Sequence, residues 1–282
     1  MRAQQQDLLA KLKLQLPSMT KVLKMVGEFV RDNPEQVVYC TINEVADEAG
    51  TSVASVMRFC KELDYTSFAS FKLALAHELA VQVKDDKSGS ELKDEKTYAA
   101  QLSEQLCDVI QMTTRLIKSS DIEEVAQAII NAKRVFLFGV GASYIPASFM
   151  NYKLTRLGIA SSLSADDHMT AMAVNASGAD GLLLLFSSSG SIRDSIGLAE
   201  LAKQHSIPAI AITSRVKSPL GQVCNRQLVA MGSESPLSSG SLESKCGQLV
   251  VVEMLFDAIC RISESHASRI ESAADAVVDK QY

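Results

Sequence analysis

Up to about residue 80 the apolar positions recur at helical spacing. Leu8–Leu14 is amphipathic, and a second stripe over Lys21–Asp32, opened by Ser18 or Thr20, stops before Asn33-Pro34. Ile42, Val45, Ala46 and Ala49 share one face of a short helix over Thr41–Ala49, and Gly50 follows as its closing residue. Thr51 or Ser52 caps the next helix, whose apolar positions are Val53, Val56, Phe59, Cys60 and Leu63; Phe68, Phe71, Leu73 and Leu75 mark a further one.

The pattern then breaks. Residues 84–96, KDDKSGSELKDEK, are charged and carry no apolar period, which reads as a linker or a frayed helix end. Beyond them helices over Ala99–Lys118 and Asp121–Asn131 lead into short apolar runs at Val135–Phe138, Ile159–Ser164, Leu182–Phe186, Ala209–Thr213 and Gln227–Met231. Helical patterns at Ile145–Leu157, Met169–Ala176, Ile192–His205 and Pro219–Asn225 separate most of these runs, and a long one, Leu242–Ser263, follows. Such alternation predicts an α/β fold with a parallel sheet covered by helices on both faces. The expected organisation is an all-α domain over 1–82, a linker over 83–97 and the α/β domain over 98–282.

Composition narrows the class. The chain of 282 residues is 47% hydrophobic and 22% charged, with no Trp, an ordinary globular balance with an aliphatic core. A net charge of −5 argues against a non-specific polyanion binder while leaving room for a local DNA-binding patch. The six cysteines lack CxxC spacing and zinc-finger histidines, so they read as free thiols of a reducing cytosol, with no metal and no cofactor expected. The polar N-terminus lacks a signal-peptide core, and the longest apolar run, near Leu249–Leu255, is interrupted by Glu253, so no membrane partner is expected.

The chemistry concentrates where strands end. Leu182–Asp194, LLLLFSSSGSIRD, is a buried strand running into a hydroxyl-rich turn that opens a helix. Free N–H groups at a helix start favour an anion, serines add donors, and Gly190 lets a phosphate approach the backbone. The turn lacks the lysine of a nucleoside-triphosphate loop. The first strand ends similarly, in Gly139–Tyr144, GVGASY, where Tyr144 replaces the third glycine of a dinucleotide fingerprint. These two strand-end loops can flank one crevice.

In the N-terminal part, a helix, a glycine turn and a helix opened by Thr or Ser form a helix-turn-helix pattern. Its second helix would present Ser52, Ser55, Arg58 and Lys61 to phosphates or base edges. Spacing alone fits a plain helical bundle as well. Residues 1–80 hold nine Lys/Arg and ten Asp/Glu, so a DNA reader built this way would gather several weak contacts as an oligomer.

Residues 41–75, TINEVADEAGTSVASVMRFCKELDYTSFASFKLAL, resemble the N-terminal domain of the RpiR family of bacterial transcription regulators, matching through Arg58-Phe59 and at Phe68, Phe71 and Lys72. They depart at Asp64 and Ser67, where glycine is usual. Residues 115–262 are similar to the SIS domain, a flavodoxin-like phosphosugar-binding module. The match lies in Gly139-x-Gly141-x-Ser143, in the phosphate loop Ser187-Ser188-Ser189-Gly190 and in Ser244-Lys245-x-x-Gln248. Ile192 replaces a usual hydroxyl, and Lys245 replaces the family's arginine.

The resemblance implies a one-component regulator, acting as a repressor, in which a phosphosugar bound by the SIS domain alters operator DNA binding by a homodimer or higher homo-oligomer. The ligand set would be Gly141, Ser143, His168, Ser187, Ser189, Gly190 and Lys245. This set is most similar to the family's regulators of sialic-acid catabolism, which respond to N-acetylmannosamine 6-phosphate. His168, in SADDHM, would donate to sugar hydroxyls as the D-x-H of similar SIS regulators does; otherwise it is an exposed residue beside an N-cap at Asp166 or Asp167. The alternative is a phosphosugar isomerase on the same domain, which needs a base near C1/C2; only Glu243 and His168 are candidates.

Overall fold

A computed structural model of the chain describes residues 8–87, 98–232 and 234–278. The chain divides into two compact units, one of residues 8–87 with 234–239 and one of residues 98–232 with 240–278.

The N-terminal unit is helical: α1 (Leu8–Gln15), α2 (Lys21–Asp32), α3 (Pro34–Val37), α4 (Ile42–Glu48), α5 (Val53–Glu62) and α6 (Phe68–Lys87). Its core joins Leu12, Val26, Val30, Val45, Phe59, Phe71 and Leu75, with the Phe59 and Phe71 rings edge to face at 5.7 Å. Gly27 lets α2 pack closely, since a Cβ there would lie 2.5 Å from the tip of the Leu16 side chain and 3.1 Å from the Phe59 ring. A capping box fixes the start of α4: the Thr41 hydroxyl accepts from Glu44 N (3.2 Å) and the Glu44 carboxylate accepts from Thr41 N (2.7 Å). Gly50 closes the turn at φ +63° and Ser52 caps α5, accepting from Ser55 N at 3.2 Å. Asp64, which stands where glycine is usual, adopts φ +68° and is held by Lys11 at 2.6 Å.

Helix α6 runs through 83–87, the first residues expected as linker; 88–97 lie outside the described residues. Leu73, read as part of the apolar stripe, is exposed, and Ala74 is buried beside Phe71 and Leu75 instead.

The second unit opens with α7 (Tyr98–Leu116) and α8 (Ser119–Asn131). Strands then alternate with helices: β1 (Arg134–Gly139), α9 (Tyr144–Arg156), β2 (Ser161–Ser164), α10 (Asp167–Ser177), β3 (Gly181–Phe186), α11 (Arg193–Gln204), β4 (Ala209–Thr213), α12 (Pro219–Val223) and β5 (Arg226–Val229). Helices α13 (Leu242–Ile262), α14 (Glu264–Ala267) and α15 (Arg269–Val278) complete it. All strand pairs are parallel, in the order β2-β1-β3-β4-β5.

Alternate side chains of the central strands serve opposite faces. Val135, Leu137, Leu182, Leu184, Phe186, Ile210 and Ile212 pack with α8, α9 and α13. Phe136, Phe138, Leu183, Leu185, Ala209 and Ala211 pack with α10, α11 and α12. Both faces are covered, so β3 is buried at every position and reads as an unbroken apolar run. From β1 the chain goes to β2 on one side and then crosses to β3 on the other. That reversal of strand order opens a crevice outside the carboxyl ends of β1 and β3.

Candidate functional site

The loop after β1 turns tightly. A Cβ on Gly139 would lie 2.4 Å from the Ser143 carbonyl oxygen, and Gly141 sits at φ +57°. The turn buries Ser143 directly before α9. The loop after β3 is anchored by Ser187 N donating to Ile212 O (3.0 Å), and Gly190 N donates back to Ser187 O (3.1 Å) and Oγ (3.2 Å). Gly190 has φ +60°, and a Cβ on it would lie 2.4 Å from Ser218 Cβ. Ser187 and Ser188 are buried and Ser189 is half-buried, its Oγ accepting from Ser191 N at 3.2 Å.

The third wall is the start of α13, capped by Ser241. Close packing draws this end against the chain after β5: a Cβ on Gly247 would overlap Met231 O, and one on Gly232 (φ +132°) would lie 2.4 Å from Ser244 Cα. Lys245 is thereby carried to the carboxyl edge of the sheet, 5% exposed. Its Nζ donates to Ser188 Oγ (2.7 Å), Ser143 Oγ (3.3 Å) and Gln248 Oε1 (3.5 Å). Gln248, fully buried, donates from Nε2 to Ile212 O at 3.3 Å and so ties this cation to β4.

One ammonium thus meets hydroxyls from both strand-end loops. The N-termini of α9 and α11 follow those loops, and their partial positive charge adds to that of Lys245. The arrangement suits a dianionic phosphate approached by hydroxyls, backbone N–H groups and one cation. Beside Lys245, burial and the neighbouring Cys107 push the Cys246 thiol up, which leaves it a poor nucleophile.

Of the ligand set expected from the sequence, Ser143 and Lys245 meet directly, and Gly141, Ser187, Ser189 and Gly190 lie in the two flanking loops. His168 is exposed in the first turn of α10, whose N-cap is Asp166, and no hydrogen bond ties it to Lys245. Ile192 is exposed at the entry to α11 and offers no side-chain cap. Ser188 and Gln248 stand in the two motifs of the resemblance but not in the expected ligand set, and both bond Lys245. The i, i+3 spacing of Lys245 and Gln248 was the available signal, since it puts both on one face of a helix.

In the N-terminal unit, Ser55, Arg58 and Lys61 follow one another at three-residue steps on the face of α5 opposite the buried Val56, Phe59 and Cys60. Arg58, Lys61 and Ser52 are exposed and Ser55 is half-buried. The Ser52 and Ser55 hydroxyls bond each other at 2.9 Å.

A compact helix-turn-helix unit followed by an α/β unit with a hydroxyl-lined crevice defines a helix-turn-helix transcription regulator with an SIS domain. The profile of the helix-turn-helix domain of the rpiR family matches residues 6–82, and that of the SIS domain matches residues 128–258. The chain belongs to the RpiR family of transcription regulators. An HTH-type transcriptional regulator of Haemophilus influenzae is 27% identical over 94% of this chain and 93% of its own length. The Vibrio vulnificus NanR protein, solved in complex with ManNAc-6P, is 27% identical with a TM-score of 0.89, covering 97% of this chain and 99% of that one. The sugar isomerase domain of an RpiR transcription factor from Sphaerobacter thermophilus shares the fold, with a TM-score of 0.58 and 22% identity over 64% of this chain and 98% of its own. No helix among the described residues is long and apolar enough to cross a membrane.

Proposed function

We propose that this regulator is a cytoplasmic repressor of amino-sugar catabolism genes, released from its operator by N-acetylmannosamine 6-phosphate bound between the β1 and β3 loops. The observation that carries the reading is the buried Lys245 ammonium bridging Ser143 and Ser188. In this reading Ser143, Ser187, Ser188, Ser189 and the N–H groups around Gly141 and Gly190 take the phosphate. Lys245 supplies charge, and His168 donates to the sugar hydroxyls. Ser52, Ser55, Arg58 and Lys61 meet the operator, which a homodimer reads as two half-sites. The likeness to NanR supports ManNAc-6P as the first ligand to try.

The effector half of the proposal is tested by titrating the protein with ManNAc-6P and with unphosphorylated N-acetylmannosamine. Saturable binding of the phosphate ester alone is expected, weakened by about 1–3 kcal/mol in Ser187→Ala. Equal binding of both sugars would overturn the phosphate assignment, and turnover of the ester to another sugar phosphate would reinstate the isomerase. For the head, Arg58→Ala should weaken operator binding and leave effector affinity unchanged.

A further inference from the structure

The helix-turn-helix element is poorly supplied with positive charge. Helix α4 carries Glu44, Asp47 and Glu48 and no cation, and α5 sets Arg58 and Lys61 against Glu62. Duplex binding draws much of its affinity from neutralised backbone phosphates, so further cations must come from elsewhere.

The rest of the N-terminal unit shows where they are. Lys11 is held by Asp64, Arg31 by Asp32, and Lys72 donates to Cys40 O at 2.7 Å. Among the described residues Lys13, Lys21, Lys24, Arg58 and Lys61 have no ion pair or hydrogen bond from their side chains. Three of these five stand on α1 and α2. Two of the three, Lys13 and Lys24, line a cavity of about 270 Å³ with Leu16, Pro17, Glu28 and Arg31. This open groove has room for several waters, and its charged groups are two unpaired lysines, Arg31 with its own Asp32, and Glu28. Met25, next to Lys24 on α2, reaches the turn of the motif. Met25 Cε is 3.5 Å from where a Cβ of Gly50 would stand, in the turn that leads into Ser52.

We infer that α1 and α2 form a second DNA contact, in which the cavity of Lys13, Lys24 and Arg31 takes a backbone phosphate of the duplex whose bases α5 faces. Lys13 and Lys24 point charges neutralise the phosphate, and the Leu16–Pro17 wall limits its solvation. This contact carries no sequence information and sets register and salt dependence. It rests on the DNA-binding reading of α5.

The test is fluorescence anisotropy of a labelled 40-base-pair duplex of arbitrary sequence with the full chain, over a series of salt concentrations. Lys13→Ala/Lys24→Ala should flatten the slope of log K against log salt by about 0.9 for each phosphate that a bound protomer no longer neutralises, and weaken binding about tenfold or more near physiological salt. Lys24→Arg should restore part of the slope, and Lys203→Ala, on α11, should leave it unchanged. Circular dichroism melts of the double variant should overlay those of the wild type. A wild type that binds with an unchanged slope in the double variant overturns this inference alone. A wild type that does not bind duplex DNA at any salt overturns the DNA reading and this inference with it.

Discussion

Gly190→Ala should cost the C-terminal unit several times what Gly141→Ala costs, although both glycines sit at nearly the same positive φ, 60° and 57°. At Gly141 nothing lies within 4 Å of an added Cβ. The substitution there carries only left-handed strain, about 1–2 kcal/mol, partly offset by the lower entropy of the unfolded chain. At Gly190 the same methyl would lie 2.4 Å from Ser218 Cβ, 2.6 Å from Ser218 Oγ and 3.4 Å from Thr213 Cγ2. Ser218 must then move by about 1 Å to reach van der Waals contact, which disturbs its cap on α12, where Oγ accepts from Gly221 N at 3.0 Å. It also strains the bond from Leu220 N to Gly190 O at 2.9 Å. Overpacking of this kind adds about 1–3 kcal/mol. The expected totals are about 1 kcal/mol for Gly141→Ala and about 3 kcal/mol for Gly190→Ala. In a unit of this size those correspond to drops in Tm of about 2–4 °C and about 6–12 °C. Differential scanning calorimetry of the intact chain measures both. Equal drops would refute the packing of the β3 loop against Ser218.

Other substitutions probe single contacts. Lys245→Met should lower affinity for ManNAc-6P by about tenfold to a hundredfold, the worth of a charge-assisted hydrogen bond, and calorimetric affinity within threefold of wild type would remove Lys245 from the site. Asp64→Gly relieves a positive φ of 68° and forfeits an exposed ion pair to Lys11, so it should raise the stability of the N-terminal unit by about 0.5–1 kcal/mol; a lower urea midpoint would contradict this. Burial pushes the Cys60 and Cys224 thiols from 9.0 up to about 12. The unfolded thiols ionise near 9.0 while the folded ones stay protonated, so stability should fall as pH rises from about 9 toward about 12. Urea midpoints at about pH 8 and about pH 10 should differ less in Cys60→Ala/Cys224→Ala than in the wild type, and an equal difference would reject the assignment.

Much of the sheet was legible because its strands are buried on both faces and read as apolar runs; Ala209–Thr213 begins and ends where the pattern placed it. The helix-turn-helix was legible from Gly50, whose φ of +63° favours glycine, and from the pair Thr51-Ser52, of which Ser52 is the cap. The capping box Thr41/Glu44 was there to be read in its T-x-x-E spacing and was missed. Helix α15 went unread because its sequence, RIESAADAVV, offers only a weak apolar stripe; its place depends on Arg269 lying over Gly158 and Ile270 joining the core. The crevice was foreseen from two loops, and so was Ser143, but not the nearer hydroxyl that meets the cation, Ser188. In a serine triplet, only the path of the loop decides that Ser188 faces Lys245, and that path is set by Ser214 N donating to Ser188 O at 2.9 Å. The weight borne by Gln248 was hidden likewise, since its partner is a backbone carbonyl of another strand.

Whether the crevice bridged by Lys245 senses a phosphosugar is decided by isothermal titration of the full chain with ManNAc-6P. Saturable binding at one site per chain is expected, weakened by about tenfold or more in both Ser143→Ala and Ser188→Ala, with N-acetylmannosamine silent. Undiminished binding in both variants, or no binding of ManNAc-6P or any other hexose phosphate to the wild type, would contradict it.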